Sequence, residues 1–140
     1  MNEDTLAKVN LFSTLNKKEL QALAHSSQER TYSAGTKLFS QGDSGSALYI
    51  LKSGKVRVTT GSGAEEREIN TVSAGETVGE MALLDDQPRS ATITAIEDTS
   101  ALVLPVWEFR GVLKNHPDIA LKLLAVLSRR LRKAEGQHHD

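Results

Sequence analysis

Between Val78 and Ile93 the chain reads VGEMALLDDQPRSATI, and several of these residue types can hold a phosphate ester. A turn opening at Gly79 leaves its first backbone N–H groups without partners, and such groups attract an anion. Arg89 adds a guanidinium fork that can donate two parallel hydrogen bonds to phosphate oxygens. Pro88 pushes Gln87 into an extended conformation, so the chain re-enters a strand near Arg89. Glu80 repels phosphate; its chemistry suits a neutral donor such as a sugar hydroxyl, together with local pairing to a cation. The set therefore selects a phosphate esterified to a sugar over free phosphate. A plain surface ion pair between Glu80 and Arg89, worth at most about 1 kcal/mol, is the competing use of the two residues.

These side chains need a scaffold, and the pattern supplies one in three parts. Leu15, Leu20, Leu23 and Ala24 fall at near-helical spacing behind Asn16 and Glu19, a capping-box pair. The first helix is expected from about Lys17 to Ser26, with Leu11 and Phe12 as an upstream apolar anchor. From Arg30 to Val106 the signal becomes short apolar or alternating runs broken by glycine. They include Lys37–Phe39, Ala47–Leu51, Val56–Thr59, Glu66–Val72, Ala91–Ile96 and Ser100–Val106, with Gly61-Ser62-Gly63 as a solvated hairpin tip. Strands separated by turn signals, with no helix-length segment between them, indicate a sandwich or jelly roll.

Helix returns at Trp107–Lys114 and stops near Pro117. A second stretch follows, with Ile119, Ala120, Leu123, Leu124, Val126, Leu127 and Leu131 as a wide apolar stripe. Arg129, Arg130, Arg132 and Lys133 lie in its last turns, where cations suit the helix dipole. The expected fold is mainly β: an eight-stranded antiparallel jelly roll (β-roll) with one N-terminal helix and two C-terminal helices. Residues 1–140 form one domain in this reading, with 11–131 as its core and 135–140 as a frayed tail.

Bulk properties narrow the function classes. A chain of 140 residues can bury roughly 68% of its unfolded surface in one core. Its net charge of −1, from 17 basic and 18 acidic residues, gives no general pull toward nucleic acid or anionic membrane. No apolar run approaches the ~18 residues of a membrane span, and the first ten residues lack a secretory signal pattern. With no cysteine there is no disulfide or thiol chemistry, and the expected setting is cytoplasmic. His25, His116, His138 and His139 form no pair within the strands, so neither a metal nor another cofactor is expected. No Ser/His/Asp arrangement is supported, and the chain is not expected to be an enzyme.

The segment Gly79-Glu80-Met81-Ala82-Leu83-Leu84 followed by Pro88-Arg89-Ser90-Ala91-Thr92-Ile93 resembles the phosphate-binding cassette of cyclic nucleotide-binding domains. The upstream frame is similar too: Ala34 to Phe39, Gln41-Gly42-Asp43, Leu48 to Leu51, and Ser53 to Val56. The resemblance runs from about Leu11 to Leu131. It departs at Val78, where the family often carries an aromatic, and this loosens a packing expectation more than a binding one.

The resemblance implies roles for particular residues. Gly79, Met81, Ala82 and Ala91 would surround the ligand, with backbone N–H groups at Ala82 and Ala91. Glu80 would accept from the ribose 2′-hydroxyl, Arg89 would hold the cyclic phosphate, and Ser90 would offer a hydroxyl near phosphate or base. Leu124, Leu127, Arg130 and Leu131 are candidates for a lid over the base. The implied ligand is 3′,5′-cyclic AMP, with cyclic GMP as the alternative, and the switch is movement of the last helix. A protein effector is expected, with no direct DNA contact, since no helix-turn-helix follows Arg132. A homodimer through the C-terminal helix fits the same apolar stripe. The competing functions are a degenerate scaffold and a cupin-like metal enzyme.

Overall fold

The computed structural model describes residues 2–44, 47–85 and 87–136, without the side chains of residues 81 and 82. Helices α1 (Asn2–Ala7) and α2 (Lys17–His25), with a 3-10 turn at Asn10–Phe12 between them, precede the strands. The strands are β1 (Gln28–Tyr32), β2 (Lys37–Phe39), β3 (Ala47–Ser53), β4 (Lys55–Thr60), β5 (Arg67–Ser73), β6 (Thr77–Val78), β7 (Thr92–Ala95) and β8 (Thr99–Pro105). A 3-10 turn at Glu80–Leu83 separates β6 from β7, and α3 (Val106–Asn115) and α4 (Pro117–Ala134) close the described chain. The strands form two four-stranded antiparallel sheets, ordered β1-β8-β3-β6 and β2-β7-β4-β5. This is the eight-stranded jelly roll expected from the glycine-punctuated runs.

Two-residue periodicity explains the layering. In β3 and β8, Leu48, Ile50, Leu102 and Leu104 turn toward the helices, where they pack with Phe12, Phe109, Ile119 and Leu123. Their neighbours Ala47, Tyr49, Leu51 and Val103 face the other sheet and meet Val56, Val72 and Ile93. A sheet covered on both faces reads as an unbroken apolar run, as Ala47–Leu51 does. β5, by contrast, is exposed from Arg67 to Thr71 and buries Val72.

The capping box forms as expected. Asn16 Oδ1 accepts from the Glu19 N–H at 2.9 Å, and Glu19 Oε1 accepts from the Asn16 N–H at 2.9 Å. Glu19 Oε1 also takes a bond from Lys122 Nζ at 2.7 Å, joining α2 to α4. Burial pushes the Glu19 carboxyl up, but the bonds from Lys122 and Asn16 outweigh it and hold the group below its usual value.

The N-terminus differs from expectation: two helices precede the strands, because α1 forms ahead of the predicted one. A six-residue helix is marginal alone. Here Leu6 and Val9, both essentially fully buried, dock it on the helical core. At the other boundaries β7 begins at Thr92, Val106 starts α3, and α4 continues through Ala134. Residues 137–140 of the expected tail, His138 and His139 among them, lie outside the described residues.

Candidate functional site

β6 brings the chain to the site by pairing with β3, Thr77 opposite Ile50 and Val78 opposite Tyr49. Gly79 then takes φ +83°, a left-handed backbone that disfavours other residues. A Cβ there would lie 2.3 Å from Arg89 Nη1 and 2.8 Å from the Ala47 carbonyl oxygen. Glycine is thus what lets the guanidinium lie against the turn. The 3-10 turn that follows drives Leu83, 2% exposed, into the helical core, so the cassette is anchored to the helices.

Arg89 is held from the opposite side. Its N–H donates to the Asp43 carbonyl at 2.7 Å, its carbonyl accepts from the Gly42 N–H at 2.9 Å, and Ser44 bridges to Pro88. The Asp43 side chain closes its own turn by accepting from the Ser40 N–H at 2.9 Å. The Gln41-Gly42-Asp43 sequence therefore fixes the backbone that delivers the arginine.

The Arg89 residue is 7% exposed. Its Nη2 donates to the Ala47 carbonyl at 2.5 Å, and its guanidinium carbon lies 4.0 Å from the centroid of the Phe39 ring. Tyr49 supports that ring with centroids 5.5 Å apart. Nε is buried without a hydrogen-bond partner, and no carboxylate among the described residues pairs with the group. Burial lowers the guanidinium pKa, opposed by Tyr49 and Asp43, yet an arginine stays protonated. The result is a buried cation with spare donor capacity.

A pocket of about 470 Å³ opens here, lined by Thr77, Gly79, Glu80, Asp85, Gln87, Pro88, Arg89 and Ser90. That volume suits a small-molecule ligand. Gly79, Glu80, Arg89 and Ser90, singled out from the sequence, converge on it. Ala91 is buried and does not line it. The side chains of Met81 and Ala82 lie outside the described residues. Thr77, Asp85 and Gln87 carry no ligand signal in the sequence, nor do Phe39 and Tyr49 beneath the arginine. The two aromatics read only as strand residues, and no local pattern marks a ring that will face an arginine 50 or 40 positions later.

Glu80 does not pair with Arg89. Its Oε1 forms an ion pair with Arg130 Nη1 at 2.9 Å, so the local cation comes from α4. Of the other lid candidates, Leu127 is half-buried against the helical core, while Leu124 and Leu131 are 61% and 59% exposed. Among the described residues no group of three His, Cys, Asp or Glu is placed to hold a metal ion. No helix among them is long and apolar enough to cross a membrane.

A jelly roll that offers a buried arginine, a tight glycine turn and a carboxylate at one pocket belongs to the class of small-molecule binding domains that take a sugar phosphate. Residues 29–116 match the family described as "Cyclic nucleotide-binding domain". Over 126 residues the chain is 41% identical to the "Cyclic AMP receptor protein" of Thermus thermophilus, covering 89% of this chain and 58% of that protein. Over 98 residues it is 40% identical to a "cGMP-dependent protein kinase" of Toxoplasma gondii, covering 70% of this chain and 10% of the kinase. The N-terminal domain of a transcriptional regulator from Streptomyces coelicolor superposes with a TM-score of 0.87 at 34% identity, over 95% of this chain and 94% of that one. The chain belongs to the cyclic nucleotide-binding domain family, whose members are regulatory ligand sensors. It spans less than two thirds of the length of the curated relatives named here.

Proposed function

We propose that this chain senses 3′,5′-cyclic AMP in the pocket between the Gly79 turn and Arg89. The observation that carries the reading is Arg89: a buried guanidinium with an unpartnered Nε and no carboxylate among the described residues, at the edge of a small-molecule pocket. A cyclic phosphate is an anion that can accept two parallel bonds from a guanidinium. Ser90 adds a hydroxyl, Glu80 takes the ribose 2′-hydroxyl, and the backbone at Ala82 and Ala91 completes the cradle. Adenine is favoured over guanine because the relative matched over 126 residues is named for cyclic AMP and the one named for cyclic GMP is matched over 98.

Occupancy is passed on through α4. Leu83 ties the cassette turn to the helical core, so a ligand that draws in the turn favours one arrangement of the helices. Leu121, Leu124 and Leu131 leave apolar surface on α4 to lay over a base, as Leu127 can from the same helix, or to meet a second copy of the chain. The downstream partner in this reading is a protein effector in the cytoplasm.

Titration calorimetry with cyclic AMP, cyclic GMP and linear 5′-AMP tests the reading. Cyclic AMP should bind saturably and most tightly. Arg89→Ala should weaken it by about 1.5–3 kcal/mol or more, the loss of hydrogen bonds to a charged group. At a hundredfold excess over its dissociation constant, the ligand should stabilise the fold by about 2.7 kcal/mol. Linear 5′-AMP binding as tightly as the cyclic form would overturn the assignment.

A further inference from the structure

Arg130 continues the buried side of α4, following Ile119, Leu123 and Val126 at spacings of four, three and four residues. That position points its side chain at the junction between the cassette turn and the Asn10–Phe12 turn near the N-terminus. Three of its nitrogens are engaged there. Nε and Nη2 donate to Asn10 Oδ1 at 2.9 and 2.6 Å, and Nη1 forms an ion pair with Glu80 Oε1 at 2.9 Å. Asn10 thus grips two donors of the planar fork and leaves the third aimed at Glu80.

We propose that Asn10 acts through Arg130 as a positioning relay that sets Glu80 for a ribose 2′-hydroxyl. The inference rests on the reading of the pocket as a cyclic nucleotide site and names a determinant of its sugar specificity. A carboxylate has two oxygens and about four acceptor positions, so Arg130 on Oε1 leaves Oε2 able to accept the hydroxyl. Held on Asn10 through two donors, the guanidinium keeps its charge beside Oε1 and so biases the orientation of the carboxylate. Without Asn10, Arg130 is free to swing on its long side chain, and Glu80 loses its orientation.

The test compares cyclic AMP with its 2′-deoxy analogue by calorimetry on the full chain. The wild type should favour cyclic AMP on the order of tenfold, the scale of one hydrogen bond to a charged acceptor. Asn10→Ala should weaken cyclic AMP and leave the deoxy analogue unchanged, so that the ratio falls toward one. Asn10→Asp keeps an acceptor oxygen in place and should restore the wild-type ratio. Arg130→Met should compress the ratio as Asn10→Ala does, and the double variant should compress it no further, since the two act in series.

A ratio unmoved by Asn10→Ala, or equal weakening of both nucleotides, overturns the relay while the cyclic nucleotide reading stands. A wild type that binds both analogues equally removes the role of Glu80 and the relay together. Binding of neither cyclic AMP nor cyclic GMP overturns the functional reading itself and the relay with it.

Discussion

Arg89 and Arg130 both reach the cassette turn, one from the strand side and one from α4, and their surroundings differ. Arg89 is buried, with one carbonyl bond, an aromatic ring and an unpartnered Nε. Arg130 is one-third exposed, and Asn10 and Glu80 take up three of its nitrogens. Taking a cation out of water is costly unless hydrogen bonds and charge replace the solvent, so an incompletely paired buried arginine marks a place where an external anion completes the set. A cation already paired inside the protein serves instead to orient another group. In the proposed reading, that difference makes Arg89 the binding arginine and Arg130 the positioning one.

The largest break in that comparison should come from Gly79→Ala. The added carbon would meet Arg89 Nη1 at 2.3 Å and the Ala47 carbonyl at 2.8 Å, on a backbone at φ +83°. Either the turn or the arginine must shift. The expected stability loss is about 1–3 kcal/mol by denaturant unfolding, accompanied by loss of cyclic nucleotide binding. Unchanged stability and affinity would mean that the close approach is not needed.

Arg89→Met sharpens the contrast with a smaller effect. Replacing an underpaired buried cation by an apolar chain of similar length should leave ligand-free stability unchanged or raise it by up to about 1 kcal/mol. The ligand-dependent rise in melting temperature should vanish. A fall of more than about 1 kcal/mol would show that the Ala47 bond and the Phe39 contact, and not an absent anion, account for the arginine.

Arg130→Met should give the smallest change. Its partners lie near the surface, so ligand-free stability should drop by less than about 1 kcal/mol in the same unfolding measurement. A loss as large as that of Gly79→Ala would make Arg130 a structural pin instead of a positioning residue.

Much of this architecture is legible in local pattern. Asn16 and Glu19 announce the start of α2, glycine-broken apolar runs announce strands, and VGEMALLDDQPRSATI carries the residue types that meet at the pocket. β1 and β6 do not stand out as separate strands. The first is largely exposed and the second is two residues long, so neither has a full apolar alternation to read. The helix α1 is equally hidden, since six residues hold too little periodicity and docking of Leu6 and Val9 decides it.

Local pattern carries the jelly-roll class and the residue types of the cassette, because face alternation, caps and turn residues act over a few positions. Which charges meet is settled by packing. Arg89 sits over Phe39 and against Ala47, leaving Glu80 to Arg130, and Asn10 reaches that arginine across 120 positions of chain. Such pairings depend on how the finished layers pack, and no local period encodes a distance between two layers.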